Sequence, residues 1–267
     1  WRGSNEFIRR SFDFQVNIAG ENRLGNCAMD AAMRLLAWYR QTTTAYRKME
    51  RKVSYETIEF EMRSSVAWIT LNRPKSFNSL NLAMAKELCD LSIRLGEDKN
   101  VRAVIMTGSG EAAYCAGGDI PSFANNLESL PILLKEMTTY LHMAISRFAW
   151  MRAPMIAAVN GVAAGAGLSM VACTDLAIAV EGASFTSAYT KIGLSPDGSS
   201  TYYLPRIIGT RRTAELYMTN RVLNTQEALE WGLINKIVPA ADLVAEAEKL
   251  ANQLADSATE AMGAVKE

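Results

Sequence analysis

The feature that most constrains this chain is a strand, a turn and a helix that recur along its central part. Residues 103–107 form a short apolar strand ahead of a glycine-rich loop, and a long helical stretch follows over 132–150. The pattern then returns, with a strand at 155–159, a small-residue turn at 160–165 and a helix at 166–173. A recurrence of roughly 50 residues favours stacked β-β-α units over a single open sheet. The sequence therefore predicts an α/β fold.

A hairpin precedes this repeat and helices follow it. Residues 55–62 alternate between apolar and polar side chains, and the alternation resumes at 66–71 after a short polar turn. Residues 80–95 carry apolar side chains at helical spacing. The C-terminal part predicts helices at 211–219, 225–231 and 240–256, with a short strand at 234–238.

The chain divides into three regions on these patterns. Residues 1–52 form an unassigned N-terminal extension, in which 28–49 have a helical apolar spacing. Residues 53–239 contain the repeated units and form the predicted core. Residues 240–267 begin a C-terminal helical region.

Composition excludes several classes of partner. Lys plus Arg and Asp plus Glu both number 28, so no large basic field is available for nucleic acid. No apolar run approaches the ~20 residues that a membrane span requires. The cysteines are scattered, without CxxC spacing or a secretory signal, at Cys27, Cys89, Cys115 and Cys173. We expect reduced thiols, no metal site and a cytoplasmic protein.

Two glycine-rich loops could offer backbone N–H groups to a developing negative charge. The first loop, residues 114–120, contains Gly117 and Gly118, which lack a Cβ that would obstruct an amide. The second, residues 160–169, ends a strand and opens a helix whose first amides favour an anion. Two such amides on one oxygen would form an oxyanion hole, in which one donor is typically worth about 3 kcal/mol.

Several stretches resemble the crotonase (enoyl-CoA hydratase/isomerase) superfamily over residues 55–255. They are ITLNRPKSFNSL, YCAGGDI, PMIAAVNGVAAGAGLSMVACTD and the run from IGLSPDGSSTYYLPRIIG to EALEWGLINKIV. The resemblance implies a crotonase (ClpP-like) spiral with C-terminal helices, an acyl-CoA thioester substrate and no separate cofactor. It also implies a homotrimer or homohexamer, and a C-terminal helical region longer than the one that this sequence contains.

The same resemblance implies roles for individual residues. The oxyanion donors would be Gly118 and Ala166. The positions carried over for binding the substrate and its CoA portion are Lys75, Phe77, Ala116, Gly117, Asp119, Ile120 and Gly165. Asp119 also has an ordinary interpretation as a capping or loop-bracing carboxylate.

The residues expected to carry proton transfer differ from those of a standard hydratase of this family. Its two catalytic glutamates correspond to Ser169 and Tyr189, whose hydroxyls do not readily exchange protons near neutral pH. The remaining attractive carboxylate is Asp197, although Pro-Asp-Gly is also favourable turn chemistry. The only histidine, His142, matches the water-activating base of the 4-chlorobenzoyl-CoA dehalogenase branch. Against that branch, Gly118 replaces a bulky aromatic residue and Tyr189 replaces tryptophan.

Three hypotheses remain open from the sequence. The first is an isomerase- or hydratase-like enzyme, resembling 1,2-epoxyphenylacetyl-CoA isomerase, in which Asp197 moves a proton while Gly118 and Ala166 hold the thioester enolate. The second is an aryl- or acyl-CoA hydrolase or dehalogenase, with Asp197 as nucleophile, Tyr189 beside it and His142 as the base for water. The third is a non-catalytic subunit that binds CoA thioesters.

Overall fold

The structure, a computed structural model, describes residues 54–267. The helix predicted over 28–49 and Cys27 lie outside the described residues. Within the described range the strands and helices follow one another in this order: β1 Ile58–Arg63, β2 Val66–Leu71, α1 Leu82–Glu97, β3 Ala103–Gly108, β4 Ala113–Cys115, α2 Ile120–Ala124, α3 Leu130–Trp150, β5 Met155–Val159, β6 Val162–Ala164, α4 Ala166–Ala172, β7 Leu176–Val180, β8 Ser184–Thr186, α5 Ser200–Ile208, α6 Thr210–Thr219, β9 Val222–Asn224, α7 Thr225–Glu230, β10 Lys236–Val238, α8 Leu243–Ala255 and α9 Thr259–Val265. Short 3₁₀ helices lie at Pro74–Ser76, Thr190–Ile192 and Ala240–Asp242.

The strands form two sheets. The larger has the order β1-β2-β3-β5-β7-β10, and the smaller has the order β4-β6-β8-β9. All neighbours are parallel except the β1–β2 hairpin and the β8–β9 pair. Each of the pairs β3/β4, β5/β6 and β7/β8 places its first strand in the larger sheet and its second in the smaller. The predicted α/β architecture of stacked β-β-α units is confirmed.

Burial explains why the central strands read as continuous apolar runs. All five residues of β5 are buried, as expected for a parallel strand that is covered on both faces. Helices α1 and α3 contribute Leu88, Leu91, Leu141 and Phe148 to the same core. The apolar spacing of both helices is therefore accounted for by packing.

The boundaries show where the sequence patterns were informative. The hairpin, α1, α3 and β7 occur close to their predicted bounds, whereas the region predicted as a turn at 160–165 contains the short strand β6. The repeat is also uneven, because β3 begins at Ala103, β5 at Met155 and β7 already at Leu176. The long helix α3 lies in the first interval alone, so the second unit is shorter.

Cysteine and membrane predictions concern the described part of the chain. Cys89, Cys115 and Cys173 are free and buried, and burial raises the pKa of Cys115 and of Cys173 to about 12. The three thiols are therefore packed in the core, and the raised pKa values of Cys115 and Cys173 disfavour their thiolates. Among residues 54–267, no helix is both long enough and apolar enough to cross a membrane.

Candidate active site

The segments predicted to carry chemistry follow three neighbouring parallel strands. Strand β6 pairs with β4 on one side and with β8 on the other. The residues after the carboxyl ends of these strands therefore emerge at one edge of the smaller sheet. They are Ala116–Gly118 after β4, Gly165–Ala166 after β6 and residues 187–197 after β8. Sheet register thus brings together residues that are far apart in sequence.

The first glycine loop holds the Gly118 amide toward open space. The Leu80 N–H donates to the Gly117 carbonyl at 2.7 Å, and the Asp119 N–H donates to the Leu80 carbonyl at 2.9 Å. This parallel bridge turns the N–H of Gly118 away from Leu80, and that N–H has no acceptor within residues 54–267. Gly117 has a φ of +96°, which favours glycine. A Cβ on Gly118 would lie 2.8 Å from the Phe123 ring.

The second loop places the Ala166 amide beside the first loop. Gly165 caps α4 with a φ of +51°, and a Cβ there would lie 3.5 Å from the Gly117 Cα atom. Ala166 is the first residue of α4, so its N–H has no partner within the helix. Gly167 packs so tightly that an added Cβ would lie 2.1 Å from the Cys115 carbonyl oxygen. Two unengaged amides therefore border one space.

A carboxylate borders the same space. The Tyr189 hydroxyl donates to Oδ1 of Asp197 at 2.5 Å, while Oδ2 has no hydrogen-bond partner in the described chain. The Ser169 hydroxyl lies 3.1 Å from the Tyr189 hydroxyl and 3.1 Å from the Asp197 carbonyl oxygen. The Ser200 hydroxyl donates to that carbonyl at 2.8 Å. One carboxylate oxygen is thus held, and the other is available.

Burial changes the acidity of this pair. It raises the pKa of Asp197 above its usual value, against the opposing effects of the Tyr189 hydrogen bond and of the His142 side chain. Burial, followed by the Asp197 charge, also raises the pKa of Tyr189 well above its usual range. Asp197 is therefore more basic when ionised than an exposed aspartate, whereas Tyr189 remains a neutral hydrogen-bond donor.

His142 lies beside this loop but does not line the pocket. Its Nε2 atom accepts a hydrogen bond at 2.9 Å from the N–H of Gly198, and its side chain is exposed. In this arrangement the lone pair of Nε2 is engaged by a backbone amide. The structure therefore brings His142 to the backbone that follows Asp197.

One pocket joins these groups, with an empty volume of about 690 Å³ that includes its open mouth. Its catalytic wall contains both glycine loops, Tyr189 and Asp197. Apolar side chains also line the pocket, among them Phe123, Leu134 and Met137. The pocket therefore offers an anion site and a carboxylate at the edge of an apolar cavity.

The comparisons with known proteins agree with this arrangement. The model of the family described as enoyl-CoA hydratase/isomerase matches residues 61–267. The chain belongs to the enoyl-CoA hydratase/isomerase family. It is 37% identical over 213 residues to 4-chlorobenzoyl coenzyme A dehalogenase-2 of an Arthrobacter species, covering 78% of this chain and 76% of that protein. It is 34% identical over 215 residues to 1,2-epoxyphenylacetyl-CoA isomerase of Escherichia coli K12, covering 79% and 81%.

A solved structure extends the likeness to the fold. The enoyl-CoA hydratase of Bacillus anthracis matches with a TM-score of 0.74 and 34% identity, covering 79% of this chain and 81% of that one. The crotonase fold predicted from the sequence is thereby confirmed. The relatives include hydratases, isomerases and dehalogenases, so family membership by itself leaves the reaction open.

The positions that the family resemblance assigned to CoA binding lie on both sides of the first glycine loop. Ala116 and Ile120 line the pocket, and Ile120 is exposed. Phe77 is exposed, with a φ of +53°, and its carbonyl accepts from the Ala116 N–H at 3.0 Å. Lys75 is exposed on the adjacent 3₁₀ helix. Among the positions expected to bind CoA in this enoyl-CoA hydratase/isomerase family member, Ala116 and Ile120 therefore line the pocket, whereas Lys75 and Phe77 lie outside its lining.

Two residues that brace the site were missed in the sequence. Arg73 contacts the Asp119 carboxylate at 2.6 Å and the Ser79 carbonyl oxygen, and Asp119 also caps α2. The fully buried Asn78 donates to the carbonyls of Ser109 and Ala113. These contacts tie the first glycine loop to the core. No local pattern in the sequence marks these two residues, because Asp119 and Ala113 lie 46 and 35 residues from Arg73 and Asn78.

Proposed function

We propose that the protein is an acyl-CoA-thioester enzyme in which the Gly118 and Ala166 amides stabilise an oxyanion at the thioester carbonyl. In this proposal Asp197 transfers a proton at the acyl chain. The supporting observation is that two amides without acceptors in the described chain and one carboxylate with a free oxygen border the same pocket. Preorganised donors of this kind stabilise charge that develops during the reaction.

The chemistry balances as an isomerisation. Ionised Asp197 removes a proton from the α or γ carbon, and the electron pair moves to the thioester oxygen as an enolate held by the two amides. The protonated Asp197 then returns the proton to another carbon of the same molecule. Its raised pKa supports both steps, because a base closer to neutral pH takes up and releases protons more efficiently.

Mass spectrometry of turnover tests this proposal. The purified protein is incubated with enoyl-, dienoyl-, epoxyphenylacetyl- and 4-halobenzoyl-CoA thioesters. A product of unchanged mass supports isomerisation, and addition of 18 mass units supports water addition. Asp197→Asn is expected to lower kcat by about 10²- to 10⁴-fold, whereas the exposed Asp256→Asn leaves it unchanged. Full activity of Asp197→Asn would rule out the proton-transfer role.

A second candidate is displacement with Asp197 as nucleophile. It is favoured by the free Oδ2 atom beside a fixed Oδ1. The Oδ2 atom would attack the aryl carbon, expel halide and form an aryl ester, or attack the acyl carbon, expel the CoA thiolate and form a mixed anhydride. Water then attacks the Asp197 carboxyl carbon, which releases the hydroxylated aryl product or the free acid and regenerates the carboxylate. For His142 to activate that water, its Nε2 atom must first release the Gly198 amide.

Single turnover in ¹⁸O-labelled water separates the two candidates. Displacement places one labelled oxygen into the Asp197 carboxylate, which peptide mass spectrometry detects. Isomerisation leaves that peptide unlabelled. Binding of CoA thioesters without any product would instead support a non-catalytic binding subunit.

We also infer a homotrimer or homohexamer in the cytoplasm, on the family resemblance. Large apolar side chains that are exposed in the single chain, such as Met218 and Val222, are compatible with subunit contacts. Light scattering during size exclusion should give three or six times 29.3 kDa. A monomer mass would contradict this inference, and cell fractionation tests the location.

A further inference from the structure

Ser169 occupies a position that the proposed proton transfer does not use. It lies on α4, three residues after Ala166, and its side chain is fully buried. Its hydroxyl has three neighbours: the Gly165 carbonyl at 3.2 Å, the Asp197 carbonyl at 3.1 Å and the Tyr189 hydroxyl at 3.1 Å. A single hydroxyl proton can serve only one of these acceptors well.

The other hydrogen bonds indicate where that proton goes. The Gly165 carbonyl already accepts from the Ser169 N–H, and the Asp197 carbonyl already accepts from the Ser200 hydroxyl. The Tyr189 hydroxyl gives its own proton to Oδ1 of Asp197. Within residues 54–267, the Tyr189 oxygen has no donor other than Ser169. The contact between the two hydroxyls is therefore satisfied when Ser169 donates to Tyr189.

Close packing of Gly198 against Ser169 fixes the same arrangement of Ser169 and the Asp197 loop. Gly198 has a φ of +60°, and a Cβ on it would lie 2.6 Å from Cβ of Ser169 and 3.0 Å from its hydroxyl oxygen. The backbone after Asp197 thus lies directly against Ser169. Since Ser169 and Ala166 share one helix, this contact relates the position of the carboxylate to that of the amide.

We propose that Ser169 is a positioning residue that donates to the Tyr189 hydroxyl, and so holds Tyr189 and the Asp197 loop in place for the reacting carboxylate. The inference rests on the proposed function for its catalytic meaning. A chain of hydroxyl donors polarises along its length, so a proton donated to Tyr189 strengthens the bond from Tyr189 to Asp197.

The direction in which loss of Ser169 should shift the pKa of Asp197 follows from the groups that face the carboxylate. These titratable groups are Tyr189, from the loop after β8, and His142, from α3, and both lower the pKa of Asp197 against the dominant effect of burial. Loss of the Ser169 donor loosens the Tyr189 hydrogen bond. The pKa of Asp197 should therefore rise further, and the rising limb of a general-base pH profile should move to higher pH.

Carbon-13 NMR of the aspartate carboxyl groups tests this without turnover. The Asp197 signal is assigned as the one lost in Asp197→Asn. Ser169→Ala is expected to move its titration midpoint upward by about half a pH unit. Ser169→Cys, which keeps the side-chain shape but donates weakly, should move it in the same direction. An unchanged midpoint in both variants would overturn the proposal.

A matched control and a double variant separate positioning from general packing. Ser92→Ala removes another fully buried helical hydroxyl, which donates to the Cys89 carbonyl at 2.7 Å, and should leave the midpoint unchanged. Tyr189→Phe should raise the midpoint more than Ser169→Ala. If Ser169 acts through Tyr189, the double variant matches Tyr189→Phe alone. Additive shifts would overturn the pathway through Tyr189.

Kinetics then connect the geometry to the reaction. Ser169→Ala should lower kcat about tenfold with KM nearly unchanged, because the carboxylate is misplaced while the CoA positions remain. If no CoA thioester turns over in the unmodified protein, the proposed function fails, and the NMR result still decides whether Ser169 positions Asp197. Full kcat in Ser169→Ala, with the NMR midpoint shifted, would overturn the catalytic meaning of the contact.

Discussion

The two halves of the pocket are held by different kinds of interaction. Gly118 and Ala166 are placed by backbone contacts: the bridge to Leu80, and glycines that approach neighbouring main chain too closely to accept a Cβ. Asp197, in contrast, is placed by side-chain hydroxyls, chiefly that of Tyr189. A substitution in the first half therefore strains the fold, whereas a substitution in the second alters the chemistry on an intact scaffold. One scaffold can in this way support several reactions within a family.

The largest expected effect on stability comes from adding one methyl group beside the Gly118 and Ala166 amides, whose positions are fixed by backbone contacts. Gly167→Ala places a Cβ 2.1 Å from the Cys115 carbonyl oxygen, where neither main chain can move independently of β4 or α4. We expect a loss of about 3 kcal/mol or more in the free energy of unfolding, measured by urea denaturation, and loss of activity.

A second glycine in a helix provides the control. Gly96, near the end of α1, has no atom within 4 Å of an added Cβ. Gly96→Ala should therefore change stability by a gain of about 0.5 kcal/mol. Equal stability of the two variants would contradict the view that close backbone contact fixes the amide half.

Removal of the ion pair that braces the first glycine loop should have an intermediate effect. Arg73 and Asp119 are 19% and 10% exposed, so Arg73→Ala leaves a largely buried carboxylate without its cation. We expect a loss of about 2–3 kcal/mol in the free energy of unfolding, together with weaker binding of CoA thioesters by calorimetry.

An exposed ion pair is the appropriate comparison. Lys236 and Glu246 are 51% and 30% exposed, so water and salt screen this pair and Lys236→Ala should leave the free energy of unfolding nearly unchanged. If Arg73→Ala costs no more than this control, the Arg73–Asp119 pair does not brace the loop.

The distinction between backbone contacts and side-chain contacts also explains how much of the structure could be predicted from the sequence. The central strands were predictable because buried parallel strands are continuously apolar, as in Met155–Val159. The three-residue strands β6 and β8 were not, because such a short segment has no detectable period. The glycine loops could be identified from composition and order, since their backbone geometry requires glycine at Gly117 and Gly167.

The side-chain contacts that hold Asp197 were harder to predict from the sequence. Ser169 was noted only as the replacement for a glutamate, and Tyr189 was also placed beside Asp197, but the hydrogen-bonded chain from Ser169 through Tyr189 to Asp197 was missed. These residues meet because β6 and β8 pair in one register, which local patterns do not encode. Asn78 and Arg73 were missed because their partners Ala113 and Asp119 are distant in sequence.

The smallest expected effect is the change in Tm when the buried carboxylate of Asp197 is removed. Burial raises the pKa of Asp197 in the folded state, so the folded protein favours the neutral acid. Below the ordinary aspartate pKa of about 3.9 the group is neutral in both states and stability carries no penalty; the penalty grows as the pH rises from there to the raised folded pKa and is constant above it. Asp197→Asn removes this charge. Its Tm should exceed that of the unmodified protein by about 2 °C at pH 8.

The pH dependence of this gain is what sharpens the comparison between the two halves. In calorimetric scans the Tm difference should be constant while the pH stays above the raised folded pKa of Asp197. It should then shrink to zero as the pH falls from that value to the ordinary aspartate pKa of about 3.9, because the unmodified carboxyl group becomes neutral as well. The exposed Asp256→Asn should show no such trend. If the Tm gain stayed the same at every pH, including below the ordinary aspartate pKa of about 3.9, its cause would be packing and not charge. A loss of stability at pH 8 would mean that Asp197 supports the fold, which would remove the distinction between a structural backbone half and a chemical side-chain half.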